Sequence, residues 1–592
     1  MCGIAGKSDW SNSGGETAKT VSLMCDSISR RGPDNQGVRS INEITLGHRR
    51  LAIIDLSENA NQPMSSADGR FHIVYNGEIY NFIEIKDELI KSGYTFHTNS
   101  DTEVILYAFE KYGDECFKMF NGMFALAIWD SKLRTLTFAK DRFGKKPLYY
   151  YFDKNNNVTF ASEIKALKRD SSIPFEVSYE ALNCFLSIGY ILSPMTIYKD
   201  IYKLEAAHYM KISGSGKSVS KVRYWDYSDS FRLKNKDSEE DTCSHILHLL
   251  EESVKRRMIS DVPVGAFLSG GVDSTSIVAL MKKFHKGDLH TFSVGFNQES
   301  YNELPDADRA AKVIGTNHHG IICDIKDELE FINNAIDVFD EPFADNSLIP
   351  MIEVSKLASE YVTVVLSGDG ADEIFAGYIT YKADKYYNYA KPIPDSLKKF
   401  IIGISENSKN SKKLNWQYKQ KQFLNGTLHS PEEAHYLWRQ FFTPGERVNI
   451  LGEKFKDLVY DTDPYFIFKK YYDKCIDLEP LDRNLYVDGM TWLTDDILVK
   501  VDRTTMFSSI EARCPYLDPK LVDYAASIPS DRKMKGLKLK YILKKALKDV
   551  VPEFVINKKK SGFNSPVGTW IGTNGNDEFK TFNKFVYDRK FN

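Results

Sequence analysis

Cys2-Gly3-Ile4 places a thiol directly behind the initiator methionine. Removal of Met1 puts that thiol and a free α-amine on one residue. A thiol ionises near ~8.5 and an α-amino group near ~7.7–8.0, so the amine can activate its own side chain close to neutral pH. Nucleophile and base then need no third residue. Position alone does not separate this reading from one of eight scattered cysteines (2, 25, 116, 184, 243, 323, 475 and 514) that happens to lie first. Far downstream, the apolar run Val262 to Leu268 passes into Ser269-Gly270-Gly271-Val272-Asp273-Ser274 and then a helical pattern from about Thr275. Such a junction aims backbone N–H groups and a helix N-terminus at an anion. It is not a Walker loop, because no Gly-Lys-Ser/Thr follows. A second apolar run, Tyr361 to Leu366, ends in Ser367-Gly368-Asp369-Gly370-Ala371-Asp372-Glu373 and again opens a helix. In one parallel sheet both loops would emerge at the carboxyl edge, where ligands bind. Asp273 and Asp372 can then supply the one or two carboxylates that Mg²⁺ takes beside phosphate oxygens and water. As plain helix caps they would need no metal.

Two kinds of scaffold are needed to position these groups. Between Phe71 and about Phe175, short strand-like runs alternate with turn residues: Phe71 to Tyr75, Met123 to Trp129, Leu136 to Ala139 and Pro147 to Tyr151. Helical patterns at Thr17 to Ser29, Phe82 to Ser92 and Asp101 to Lys111 make this an α+β domain. Ser213-Gly214-Ser215-Gly216 reads as a tight turn at the domain's end, and the polar segment Asn235 to Asp241 leads into a different style of chain. We therefore expect a first domain over residues 1–215 and a second over 235–592. In the second, the apolar strands Pro263 to Leu268, Leu289 to Phe296 and Tyr361 to Leu366 are separated by helical patterns, which predicts a parallel sheet. Tyr378 to Trp492 reads as mostly helical.

At 592 residues the chain is longer than the ~250–300 over which one core keeps growing, so two or more domains are expected. Apolar residues at 42%, charged residues at 27% and a net charge of −3 fit an ordinary globular protein whose partners are small molecules rather than nucleic acid or an anionic membrane. The cysteines form no CxxC pair, which argues against a zinc site or a disulfide scaffold. No signal-peptide pattern and no long apolar run is present, so a cytoplasmic location is expected.

Polar clusters behind Cys2 sit at turns: Arg30-Arg31-Gly32-Pro33-Asp34, His48 to Asp55, Asn76-Gly77-Glu78-Ile79-Tyr80-Asn81 and Ser100-Asp101. Singly each is weak, since Asn76-Gly77 suits a hairpin turn and Asp101 a helix cap. Together, in this order, they resemble the N-terminal-nucleophile glutamine amidohydrolase domain of class II amidotransferases, whose stacked antiparallel sheets are flanked by helices. The resemblance implies Cys2 as nucleophile and the Asn76 side chain with the Gly77 N–H as oxyanion hole. It also implies glutamine binding by Arg50, Leu51, Ala52, Ile53, Ile54, Asn76, Gly77, Glu78 and Asp101, with Arg50 on the α-carboxylate and Glu78 and Asp101 on the α-ammonium. These residue types suit the task, because a guanidinium is bidentate to a carboxylate and a tetrahedral oxyanion needs preorganised donors.

Ser269 to Ser274 behind its strand resembles the pyrophosphate loop of the N-type ATP pyrophosphatases, which adenylate a substrate. ATP would then contact Leu268, Ser269, Gly270, Gly271, Asp273, Ser274, Val294, Ser367 and Gly368. The two halves together resemble the glutamine-hydrolysing asparagine synthetases over nearly the whole chain. Further family-like segments are Lys140 to Tyr149, Asp340 to Asp345, Lys500 to Arg503, Glu511 to Asp518 and Lys560-Ser561-Gly562-Phe563. Lys540 matches the family's catalytic lysine. One departure is Asp369, where well-characterised members carry a glutamate that helps form the acyl-adenylate. The shorter side chain and Asp340-Glu341-Pro342 look like a bacterial branch with members in surface-polysaccharide pathways. The resemblance implies glutamine, aspartate and ATP as substrates with Mg²⁺, and is compatible with a homodimer. The same chemistry on a uronic acid is the close rival. A β-lactam synthetase is disfavoured because Cys2 is kept, and a silent scaffold because Cys2, Asn76, Asp273 and Asp372 are all intact.

Overall fold

The computed structural model describes residues 2–591 except 12–15, 215, 324–326, 407–413, 559–561, 563 and 572–577. Of the family-like segment near the C-terminus, Lys560, Ser561 and Phe563 lie outside the described residues. Strands of the first domain are β1 (Gly3–Ser8), β2 (Asn35–Ile41), β3 (Ile44–Arg50), β4 (Met64–Ser65), β5 (Phe71–Ile79), β6 (Gly122–Asp130), β7 (Thr135–Lys140), β8 (Tyr149–Phe152), β9 (Val158–Ala161), β10 (Ile201–Lys203), β11 (His208–Ser213) and β12 (Ser218–Arg223). They form two six-stranded sheets, ordered β10-β8-β9-β1-β3-β2 and β12-β11-β7-β6-β5-β4. Neighbouring strands run antiparallel. The Gly214 turn joins β11 to β12, which pair from His208↔Arg223 to Ser213↔Ser218, so the second sheet continues to Arg223.

Alternation along the strands builds a four-layer stack. Ile4, Val74, Ala125, Ala127, Trp129 and Phe138 share the core between the sheets. Their neighbours turn outward: Ala5 packs with Val21, Met24 and Cys25 of helix Glu16–Ser27. Ile73, Tyr75, Leu126 and Ile128 pack with residues of helices Phe82–Lys91 and Asp101–Tyr112. Both faces of the central strands are buried, which is why β6 reads as a near-continuous apolar run although its sheet is antiparallel.

The second domain holds a five-stranded parallel sheet of β13 (Val264–Phe267), β14 (His290–Gly295), β15 (Asn317–Ile322), β16 (Val364–Leu366) and β17 (Glu511–Arg513), in the order β15-β14-β13-β16-β17. The region read as helical holds helices from Thr380–Ala390 to Pro480–Met490. Among the described residues no helix is long and apolar enough to cross a membrane.

The domains share one apolar cluster, in which Leu51, Ile53 and helix Tyr179–Ile188 join the residues of the parallel sheet. Buried charges also cross the boundary. Arg31 pairs with Glu163 (2.9 Å) and Asp502 (2.8 Å), and Arg503 pairs with Glu163 (3.1 Å) and Asp340 (2.6 Å). Asp141 gathers the N–H groups of Phe124, Phe143, Lys145 and Lys146 at 3.0–3.2 Å. This tight turn sends Lys145 to Cys514 Sγ (2.9 Å) and Lys146 to Asp502 (3.4 Å). Burial of Lys146 pushes its ammonium down to about 8, with Asp502 opposing that fall.

Candidate active sites

The first site lies at the start of β1. The Cys2 backbone N–H donates to Asn76 Oδ1 (3.1 Å), and Arg31 Nε donates to Cys2 O (3.1 Å). Asn76 is fully buried on β5, and its Nδ2 has no hydrogen-bond partner. A buried amide without a partner costs about 1–3 kcal/mol, so the Asn76 Nδ2 is a donor available to a ligand oxygen. Gly77 admits no side chain, because a Cβ there would lie 2.1 Å from Met123 O. Burial pushes the Cys2 thiol above its ordinary value, and the chain's α-amine, more than Arg50, pulls against that rise. His48 is no general base here: burial pushes it down to about 3 and its Nε2 sits 3.2 Å from Tyr75 O.

Arg50 is buried and anchored by Ser57 O (2.7 Å), Asn61 Oδ1 (2.8 Å) and Asp55 O. Its loop is clamped from the second domain, since Asp261 accepts from Asp55 N (2.8 Å) and donates to Ile53 O (2.9 Å). Ala52 N reaches Asp34 (2.8 Å). Leu51 and Ile53 are buried, whereas Ala52 and Ile54 are half-buried. Asp101 opens its helix behind the Ser100 cap and accepts from Tyr75 OH (2.8 Å) and Ile79 N (3.0 Å). Burial pushes both Asp101 and Glu78 above the usual carboxylate range. Glu78 is bonded by Arg513 Nη2 (3.2 Å), a residue of β17.

The second site lies at the carboxyl edge of the parallel sheet. β13 and β16 are neighbours in register Val264↔Val364, so the loops after them emerge side by side. Gly271 caps helix Val272–Phe284, and Ser269 and Ser274 close the loop through their hydroxyls (3.0 Å). Gly270, at φ +68°, packs against Asp306 and Ala307, and Gly368 packs against Asp273 and Ser274. Leu268, Val294 and Ser367 are buried around this edge, and Ser367 N donates to Arg513 O (2.9 Å).

Lys540 reaches both loops, with Nζ 2.6 Å from Asp273 Oδ2 and 2.6 Å from Asp372 Oδ1. It sits in the left-handed region (φ +51°) as the N-cap of helix Tyr541–Ala546. A lysine pays backbone strain there, a cost that concentrates where geometry matters. Two carboxylates already converge on one cation, and Asp273 Oδ1 is buried with no partner, so the donor set fits Mg²⁺. Burial and Asp372 push Glu373 up to about 7.

Several residues here had no role in the sequence. Gly377 is one: a Cβ there would stand 1.8 Å from Asp372 Oδ1 and 2.2 Å from Lys540 Cε. Lys500 bonds Asp345 (2.6 Å) and Ser347 (2.7 Å), beside Asp369, whose Oδ2 is buried without a partner. Asp495 and Asp496 lie on a π-helical turn, Leu493–Ile497, a distortion frequent at functional sites. The only visible signal was that Lys500 and Asp345 fall in family-like segments.

The asparagine synthase family model matches residues 245–580, and a glutamine amidotransferase domain model matches residues 1–225. The chain belongs to the asparagine synthase family. It is 35% identical over 559 residues to asparagine synthetase [glutamine-hydrolyzing] 1 of Bacillus subtilis (strain 168), covering 94% of this chain and 85% of the relative. It is 37% identical over 460 residues to putative asparagine synthetase [glutamine-hydrolyzing] 2 of Methanocaldococcus jannaschii, covering 74% and 86%. Amidase chry2 of Gibberella zeae is 26% identical over 599 residues, covering 94% and 86%. As a member of this family the chain is an ATP-dependent amide ligase that carries out glutamine-dependent amidation, with ATP as a substrate.

Proposed function

We propose that the chain is a glutamine-dependent asparagine synthetase, converting L-aspartate, L-glutamine, ATP and water into L-asparagine, L-glutamate, AMP and diphosphate. The observation that carries this reading is that Lys540, Asp273 and Asp372 meet at 2.6 Å contacts on the edge of a sheet whose last strand reaches the Cys2 pocket.

In the first site the Cys2 thiolate, its proton taken by the α-amine, attacks the glutamine side-chain amide. Asn76 Nδ2 and the Gly77 N–H receive the developing oxyanion. Ammonia leaves, and water hydrolyses the thioester to glutamate. Arg50 holds the substrate's α-carboxylate, and Glu78 with Asp101 its α-ammonium. In the second site the loops Ser269 to Ser274 and Ser367-Gly368 hold ATP, and Asp273 and Asp372 would hold Mg²⁺. That ion would neutralise phosphate charge. The acceptor carboxylate attacks the α-phosphorus, releasing diphosphate, and ammonia then displaces AMP. Lys540 stabilises the charge that develops as ammonia adds, and Asp369 orients the acceptor.

The rival acceptor, a uronic acid, is favoured by the shorter Asp369 with its unpartnered oxygen. Labelled-diphosphate exchange into ATP over a panel of carboxylates decides between them. Exchange with aspartate and formation of asparagine is the expected result; exchange with a uronic acid and none with aspartate would overturn the acceptor.

A further inference from the structure

Glu78 has an unusual position for a residue of the glutaminase pocket. It lies on β5 directly after Gly77 and is 4% exposed; its Oε1 accepts from no N–H or O–H donor, and its carboxyl lies against that of Asp101. Its Oε2 accepts from Arg513 Nη2 (3.2 Å), a guanidinium that belongs to the other domain. Arg513 itself is fully buried and fixed on its remaining sides. Its Nε bonds Glu511 Oε1 (2.7 Å), and its Nη1 bonds Arg257 O (2.9 Å) and Ile259 O (2.6 Å). Tyr80 lies beneath Arg257 and Arg513 at 4.4 and 5.5 Å. A planar fork held this way loses little freedom on making one more bond.

We propose that Arg513 is a positioning residue of the glutamine pocket, contributed by the synthetase domain: it fixes one oxygen of Glu78 and leaves the other, which meets no N–H or O–H donor, to the α-ammonium of glutamine. This rests on the assignment of Glu78 to that ammonium.

The charges around Glu78 show why an outside cation is needed. Facing it are Asp101 on its helix, Tyr75 on the same strand, and Glu511 and Arg513 on β17. Burial, Asp101 and Glu511 push the Glu78 carboxyl up on balance, and Arg513 and, less strongly, the chain's α-amine pull against that rise. A protonated Glu78 cannot accept an ammonium as an ion pair. Without Arg513 the carboxyl would stay protonated to higher pH, and glutamine would bind well only in more alkaline solution.

Glutaminase kinetics across the neutral pH range test this. Arg513→Met should raise the glutamine KM about tenfold or more, the size of one charge-assisted contact, with a smaller change in kcat. That KM should recover as pH rises, and the ratio of glutamine-dependent to ammonia-dependent synthesis should fall. Glu78→Gln should raise KM similarly, and adding Arg513→Met to it should raise KM no further. An unchanged KM in folded Arg513→Met, or a full additive rise in the double variant, overturns the proposal. Should Arg513→Met not fold, Arg513→Lys keeps the charge without the fork. It is expected to show an intermediate KM with the same alkaline recovery, and a wild-type KM and pH profile would overturn the proposal. Failure of the wild type to release glutamate from glutamine would instead overturn the reading of the Cys2 site.

Discussion

The two candidate sites solve the problem of buried charge differently. In the second, the carboxylates of Asp273 and Asp372 converge on Lys540, and all three belong to one domain. In the first, Glu78 and Asp101 stand side by side in a sheet-lined pocket, and the guanidinium that meets Glu78 is supplied by β17 of the neighbour. The Cys2 carbonyl is likewise held by Arg31, whose other end is fixed by Asp502 across the boundary. The second candidate site is thus assembled within its own domain, whereas the first is finished from outside. Chemistry divided between two sites does not require two self-sufficient domains.

The comparison breaks most visibly on Cys2. Cys2→Ala should cut glutamine-dependent synthesis on the order of a thousandfold while added ammonium salts still support product, measured as amide formed from each nitrogen source. Equal loss from both sources would show that the sites do not divide the work. The reciprocal change, Lys540→Met, should lower diphosphate release on the order of a hundredfold and leave glutamate release in place. A parallel collapse of glutamate release would mean that the glutaminase centre depends on the other site's chemistry as well as its walls. Gly377→Ala sharpens the contrast within the second site: its Cβ would intrude on the Asp372–Lys540 pair, so amide synthesis should fall roughly tenfold without a matching change in glutaminase KM.

The smallest effect concerns stability. His435 is buried between Asp384 (3.0 Å) and Asp488 (3.1 Å) in the helical part of the second domain. Burial alone would lower it, but the two aspartates outweigh that and hold it at about 9. Its folded value is raised, so its contribution is fully present below its unfolded value of ~6.5 and is lost as pH rises through about 9. At about 1.4 kcal/mol per unit the contribution is at most roughly 3–4 kcal/mol. Thermal unfolding followed between those pH values should show a midpoint lower by a few degrees at the alkaline end, and His435→Gln should flatten that slope. A slope that survives the substitution assigns it to another group.

Much of the scaffold was legible from local pattern. The β5, β6 and β7 runs are rich in apolar residues and buried on both faces, so they stand out as strands whichever sheet they join. β13, β14 and β16 announce themselves the same way, and the loops after β13 and β16 show the glycine and aspartate chemistry of an anion-binding edge. Cys2 and Asn76 could be paired only through the family resemblance, since 74 residues separate them and their 3.1 Å contact is a product of sheet stacking. In the first domain β1 to β4 and β9 to β12 went unread, and in the parallel sheet β15 and β17 did. β15 is a largely exposed edge strand that opens on Asn317-His318-His319, and β17 is three residues long with charges at both ends. Their strand character comes from neighbours that supply hydrogen bonds and, for β17, ion-pair partners.

The sequence by itself determined the class of chemistry, because the ordered polar clusters behind Cys2 and the strand-loop-helix with glycines and an aspartate form a pattern that is read along the chain without knowing which residues touch. Only the tertiary structure decided which charges belong to which site. Lys540 comes to Asp273 across 267 residues, and Arg513 comes to Glu78 across 435. A buried ion pair is set by where two backbones pack, and no local pattern of residues encodes that distance.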